Sequence, residues 1–197
     1  MKRVYLIILL PFIISIGVLY NYFDLEIATY FHNNRDIYPI FSQITKLGLS
    51  EYYLIPSIII YLIYRKKRET ISRYALLLFS SVAISGILAI IIKTTVARYR
   101  PRLYFGDGLY GFDWFHFGHL YASFPSGHST TAFSAFVAFG YMAPKWRFMF
   151  YTIAFLIAFS RVVVGAHYPS DAVAGSILGA VTTVILYNKL FKVKDAK

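Results

Sequence analysis

The sequence predicts an all-α fold: a single domain over residues 1–197, built as a bundle of six transmembrane helices with short amphipathic interfacial helices on the outer face. Three observations predict it. Hydrophobic residues fill 58% of the 197 positions and charged residues only 15%, too oily a balance for a water-soluble globule of this size. Apolar runs close to the ~20 residues that cross a bilayer recur along the chain. The basic residues gather between those runs, where membrane helices carry their anchors. Cysteine is absent, which excludes disulfides and thiolate chemistry.

The first predicted span is 4–20. A cleaved signal peptide is the rival reading, but the apolar run is long and Tyr20-Asn-Tyr-Phe-Asp24 offers no small-residue cleavage site, so a retained helix is expected. Residues 24–46 read as short amphipathic helices on the outer surface, with Leu25, Ile27 and Ala28, then Ile40, Phe41 and Ile44, as their apolar faces. A plain packing connector is the alternative. The second span is 47–64, with Glu51 near its outer end, and the third is 74–93. The remaining spans are 128–142, 148–165 and 171–190, the second and fourth being short. Between the third and fourth lies a long aromatic loop, 103–124. Its rings suit either a membrane interface or a groove for an acyl or isoprenyl chain.

The formal charge of +11 raises the question of nucleic acid, and its placement answers it. Lys2 and Arg3, the run Arg65 to Arg68 with Arg73, Lys145 and Arg147, and Lys189, Lys192, Lys194 and Lys197 all flank apolar runs on alternate loops. They read as cytoplasmic anchors rather than a nucleic-acid groove. With both termini inside, segments 21–46, 94–127 and 165–170 face outward. Asp24, Glu26, Asp36, Glu51, Asp107, Asp113 and Asp171 then lie on or beside the outer face, leaving only Glu69 and Asp195 inside.

This orientation brings three polar clusters to one depth. The first runs from Lys93 to Arg100-Pro101, the second is Pro125-Ser126-Gly127-His128, and the third is Ser160-Arg161 followed by His167 and Asp171. Ionisable side chains at the edge of membrane helices are costly and usually functional. Three cations, two imidazoles and one carboxylate suit a phosphate ester. Pro125 fits a first helical turn, while Ser126 and Gly127 supply a hydroxyl and an unobstructed amide at a helix start, an anion-binding arrangement. Pro169 places His167 just before a helix and Asp171 in its first turn, close enough for an imidazole–carboxylate hydrogen bond. Lys93, Arg100 and Arg161 offer donors to phosphate oxygens. Taken singly, each has a plain structural role as an anchor, a cap or a buried pair. His116 and His119 with Asp107 and Asp113 lack a recognised zinc-ligand spacing.

The joint pattern resembles the phosphatidic acid phosphatase type 2 family, related to class A acid phosphatases and vanadium haloperoxidases. The resemblance lies in Lys93, six residues, Arg100-Pro101; in Pro125 to His128; and in Ser160-Arg161, five residues, His167, three residues, Asp171. It covers about residues 74–190, and the six-helix layout extends it along the chain. It implies an integral membrane lipid phosphatase of a bacterial inner membrane, acting on the periplasmic side without metal or other cofactor. Its partners would be the bilayer and a lipid phosphate, with no nucleic acid and no obligate protein partner. Candidate substrates are phosphatidylglycerol phosphate, undecaprenyl diphosphate, a lipid A phosphate and phosphatidate. By the same resemblance, His167 is the nucleophile, Asp171 its orienting carboxylate and His128 the acid and then base. Lys93, Arg100, Ser126, Gly127 and Arg161 hold the phosphoryl oxygens. A vanadate-dependent haloperoxidase would share the anion pocket but resembles soluble proteins. A phosphate transporter would place its charges at mid-membrane on broken helices.

Overall fold

The computed structural model describes residues 2–191, and side chains from residue 10. The expected anchors Lys2, Arg3, Lys192, Lys194 and Lys197 and the acid Asp195 lie outside the described residues or side chains. Among the described residues the chain is helical, with one isolated antiparallel bridge between Arg98 and Phe112.

Helix α1 (Lys2–Val18) passes through a π-helical turn, Leu19–Phe23, straight into α2 (Asp24–Asn33). The stretch from Asp24 therefore continues the first long helix. Asp24, Ala28 and Phe31 are buried on its inner side, where Phe31 meets Phe159 edge-on at 5.8 Å. Helix α3 (Tyr38–Ile44) and a 3-10 turn, Thr45–Gly48, lead into α4 (Glu51–Tyr64). Phe41 of α3 meets the same Phe159 ring at 5.5 Å. Helix α5 (Glu69–Val96) is the longest, at 28 residues, and stops where Ala97 turns left-handed (φ 45°) and its N–H bonds back to the Lys93 carbonyl at 2.9 Å. A short α6 (Pro101–Asp107), α7 (Gly127–Met142), α8 (Arg147–Val163) and α9 (Pro169–Phe191) complete the order.

Five segments are long and apolar enough to cross a membrane: Leu10–Asn33, Tyr38–Tyr64, Glu69–Val96, Pro144–Val163 and Pro169–Phe191. Their large aliphatic and aromatic side chains, Ile13, Ile55, Ile87, Ile90 and Phe155 among them, point outward, as in a multi-pass membrane protein with a lipid surround. Helix α7 has 16 residues, about 24 Å at 1.5 Å per residue, less than the ~30 Å hydrocarbon layer. It is the central helix, packed against α5, α8 and α9. Apart from Phe136 and Val137, its buried positions are small and often hydroxylic (Ser129, Thr130, Thr131, Ala132, Ser134, Ala135, Ala138, Gly140).

Small residues let α7 and α9 approach closely. A Cβ on Gly175 would collide with the Ser126 carbonyl and stand 3.0 Å from Thr130 Oγ1. One on Gly179 would collide with the Thr130 carbonyl and stand 2.9 Å from both Ser134 N and Oγ. The hydroxyls within this interface are satisfied: Ser85 and Ser134 share a hydrogen bond of 2.7 Å, and Thr183 Oγ1 donates to the Ser134 carbonyl at 3.1 Å.

Candidate active site

The site is assembled from two helix starts and two helix ends. At the end of α8, Gly165 (φ 68°) reverses the chain, and the N–H groups of Ala166 and His167 both reach the Arg161 carbonyl at 3.1 Å. This fixes the main chain of His167 against the residue that carries the Arg161 guanidinium. Pro169 then occupies the first position of α9, and Asp171 Oδ2 accepts the Tyr168 N–H at 2.9 Å, one half of a capping box. At α7 the expectation for Pro125 shifts by one step. Pro125 precedes the helix, and Ser126 is its N-cap, its Oγ accepting from Ser129 N at 3.4 Å and Ser129 Oγ at 2.9 Å. The Ser126 N–H donates to the Asp171 carbonyl at 3.0 Å, tying the two helix starts together.

Three cations face this junction. Lys93 Nζ, in the last turn of α5, donates to the carbonyls of Ala122 (2.9 Å) and Pro125 (2.5 Å). Arg100 reaches the carbonyls of His119, Ala166 and Ala122 at 2.8–3.2 Å. Arg161 donates to Thr45 Oγ1 at 2.5 Å, and its buried Nε has no partner among the described residues. None of the three forms an ion pair within 4.0 Å among those residues. All three act electrostatically on both His128 and His167. Gly127 begins α7 beside Lys93, whose Cε lies 3.9 Å from where a Cβ would stand.

His167 is 2% exposed. Burial pushes its imidazole well below the ordinary value, with Arg100, Lys93 and Arg161 acting in the same direction and Asp171 opposing them. The imidazole–carboxylate hydrogen bond expected from the sequence is instead an approach of 3.7 Å between His167 Nδ1 and Asp171 Oδ2, and Nδ1 has no hydrogen-bond partner among the described residues. Asp171 is occupied elsewhere: Oδ2 accepts from Ser123 Oγ (2.6 Å) as well as Tyr168 N, and Oδ1 accepts from Arg98 at 2.5 Å. The His128 ring lies against Gly48, where a Cβ would be 2.8 Å from its Cβ and Cδ2.

Sequence reasoning missed several of these neighbours. Arg98 and Asp24, fully buried, connect to Asp171, while Thr45 and Gly48 wall Arg161 and His128. Arg98 stands within the Lys93–Pro101 cluster, so its position was a signal, but it reads there as one more interfacial cation. Asp113 and His116 do pair, at 2.7 Å, on exposed surface. Among the described residues no three His, Cys, Asp or Glu side chains gather as metal ligands.

A cavity of about 460 Å³ leads away from the junction between α4, α5 and α7. Lys93, Gly127 and His128 line it together with Leu54, Val82, Ile87 and Ile90. Ile87 and Ile90 are themselves exposed on the outer wall of α5, so the cavity reaches the lipid-facing surface.

All three polar clusters fall within residues 74–195, which match the sequence profile of the PAP2 superfamily. The chain belongs to the PAP2 superfamily. A lipid A 1-phosphatase from Rhizobium etli is 40% identical over 121 residues, covering 58% of this PAP2 chain and 52% of that protein. The chain spans about half the length of the curated relatives it matches. Two solved structures share the PAP2 fold at 23% identity. A transmembrane PAP2-type phosphatidylglycerolphosphate phosphatase from Bacillus subtilis aligns over 95% of this chain and 96% of its own, with a TM-score of 0.67. LpxE from Aquifex aeolicus aligns over 84% and 94%, with a TM-score of 0.63.

Proposed function

We propose that this PAP2-superfamily chain is an integral membrane lipid phosphatase that hydrolyses a phosphate monoester or diphosphate through a phosphohistidine intermediate. The observation that carries the reading is the pairing of His128 and His167 at two bonded helix starts under the same three cations, with an apolar cavity running from His128 to the lipid-facing surface. The cavity takes the lipid chains while the phosphate enters the cationic cup.

In this mechanism His167 Nδ1 faces Asp171, leaving Nε2 to attack phosphorus. The P–O bond to the lipid breaks as the N–P bond forms, and His128 gives its proton to the departing oxygen. Water then attacks phosphorus, His128 takes a proton from it, the N–P bond breaks, and inorganic phosphate leaves. Lys93, Arg100, Arg161 and the Gly127 amide hold the equatorial oxygens, whose charge grows in the transition state. Ser126 contributes by holding the start of α7, and its N–H is committed to Asp171. The resemblance implies no metal, and three cations around an Asp171 that already binds Arg98 are the reverse of a magnesium site.

Six crossings follow when α7, sheathed by α5, α8 and α9, serves as the sixth. The site then lies at the outer face of a bacterial inner membrane, with α3 along the outer interface and both termini cytoplasmic. Of the candidate substrates, a lipid A phosphate leads, supported by the likeness to the Rhizobium etli lipid A 1-phosphatase. Phosphatidylglycerol phosphate, undecaprenyl diphosphate and phosphatidate complete the panel. Purified protein in detergent should release inorganic phosphate from at least one of these lipids, and His167→Ala should not. Absence of release from all four, or equal release by the His167→Ala variant, would overturn the reading.

A further inference from the structure

Behind Asp171 lies a buried charge cluster that the reaction above does not use. Arg98 is 0% exposed. Its Nη1 donates to Asp171 Oδ1 (2.5 Å) and Ser170 Oγ (2.6 Å), and its Nη2 to Asp24 Oδ2 (2.7 Å) and Tyr110 Oη (3.2 Å). Asp24 in turn accepts the Ser170 N–H at 2.9 Å and the Ser170 hydroxyl at the start of α9. Four rings, those of Tyr168, Tyr20, Tyr110 and Phe112, surround the guanidinium at 4.5–5.6 Å and exclude water.

Two carboxylates against one guanidinium leave one net negative charge in a dry interior. Lys93 and Arg100 act on Asp171 from its other side and offset part of that charge, and a further cation formed beside Asp171 is stabilised by it. His167, 3.7 Å from Asp171, becomes cationic when it carries the phosphoryl group. If Arg98 faced Asp171 alone, the pair would be neutral and Asp171 would offer the imidazolium little. Asp24 supplies the second negative charge.

Resting on the phosphohistidine reading, we infer that Asp24 and Arg98 are positioning residues: Arg98 locks the Asp171 carboxylate so that Oδ2 faces His167, and Asp24 cancels the Arg98 charge so that Asp171 keeps its own for the imidazolium. The first helix thereby takes part in the reaction centre through a residue that never touches substrate. The other charges facing His167 are Lys93 from α5, Arg100 from the loop after it, and Arg161 from α8. All three are cations, so Asp171 and the cluster behind it are the negative side of that balance.

The test is a double-mutant cycle on the full chain in detergent, using Asp24→Asn, Arg98→Gln and the double variant. Asparagine keeps an oxygen for the Ser170 N–H and so preserves the helix start. Asp24→Asn should lower kcat by about tenfold or more with KM within about twofold, Arg98→Gln should lower it further, and the double variant should recover about tenfold over Arg98→Gln alone. A fall in kcat of less than about twofold in Asp24→Asn, or a double variant no better than Arg98→Gln, would overturn the inference. A second arm follows His167 by NMR of protein labelled with ¹⁵N-histidine. Its titration should move to lower pH in Asp24→Asn and to higher pH in Arg98→Gln, opposite displacements that a loss of packing would not produce. An unchanged midpoint in Asp24→Asn would overturn the inference too. If wild-type protein releases no phosphate from any lipid, the phosphatase reading fails while the NMR arm still decides the role of the cluster. If Arg98→Gln does not fold, Asp24→Asn decides alone in both arms.

Discussion

The backbone N–H of Ser126 donates to the carbonyl of Asp171 at 3.0 Å, joining two helix starts that are 45 positions apart in the chain. That bond sets the spacing between His128, two residues into α7, and His167, two residues before α9. Gly175 and Gly179 make it possible by letting α9 lie directly against the α7 backbone.

The first prediction concerns this contact. Gly179→Ala and Gly175→Ala each place a methyl group against backbone that cannot move aside, so each should destabilise the protein by about 1–3 kcal/mol and lower activity. Thermal unfolding in detergent checks the stability. Gly17→Ala, where a Cβ meets nothing within 4 Å, is the matched control and should lower neither stability nor activity.

His128 rests on Gly48, and a methyl group there would press on its ring at 2.8 Å. Gly48→Ala should therefore displace the proton donor and lower kcat by about tenfold or more, within the range that general acid catalysis contributes. Stability should fall too, by about 1–3 kcal/mol, since the added methyl also meets the His128 Cβ, which is fixed to the backbone of α7. An unaltered kcat would show that the ring has room to spare.

The pH dependence follows from the two imidazoles. Burial holds His167 neutral well below the usual histidine range, so the nucleophile survives mild acid and is lost only as pH falls through its lowered value. On the alkaline side, activity falls as His128 loses the proton it must donate, a proton that the negative charge of the bound phosphate holds in the loaded enzyme. The profile of kcat should be bell-shaped, its acid limb set by His167 and its alkaline limb by His128 in the loaded enzyme. Stability shares the acid sign. Between the folded and unfolded values the unfolded chain binds the extra proton, so His167 makes the fold less stable as pH drops below about 6.5. A flat rate profile from mildly acidic to mildly alkaline pH would contradict both assignments.

Inhibition offers a separate check. Vanadate adopts the trigonal-bipyramidal geometry of the transferring phosphoryl group and should inhibit competitively with the lipid. Chelation with EDTA should leave the rate unchanged. A rate abolished by EDTA and restored by magnesium would point to metal-assisted hydrolysis instead.

Much of this architecture was legible in the sequence because a bilayer constrains its solute strongly. Long apolar runs and basic gaps gave the helices, and the three polar clusters gave Lys93, Arg100, Ser126, Gly127, His128, Arg161, His167 and Asp171 as one group, which the fold brings to adjoining helix ends. The limits are physical. Helix α7 is short in fact, 16 residues, and the expected 128–142 misses only its first residue; its serines, threonines and alanines are those of a helix surrounded by others. The residues before the second span form α3 and the 3-10 turn Thr45–Gly48, which pack on α8 and are set off from α4 by an extended Leu49, a break that the apolar run does not signal. Asp24 reads as an ordinary outer-face acid, since its partner Arg98 is 74 positions away and periodicity carries no information about such pairs. Gly48 and Thr45 carry no chemical signal at all, and only the fold sets them against His128 and Arg161.

The central claim is that His167 carries the phosphoryl group between two half-reactions. Rapid-quench single turnover with a ³²P-labelled lipid phosphate tests it most directly. The account predicts an acid-labile, base-stable protein phosphate that maps to the peptide containing His167, forms before phosphate is released, and is missing from His167→Ala. Turnover at a normal rate with no labelled protein at any time, or with the label on another residue, would contradict it.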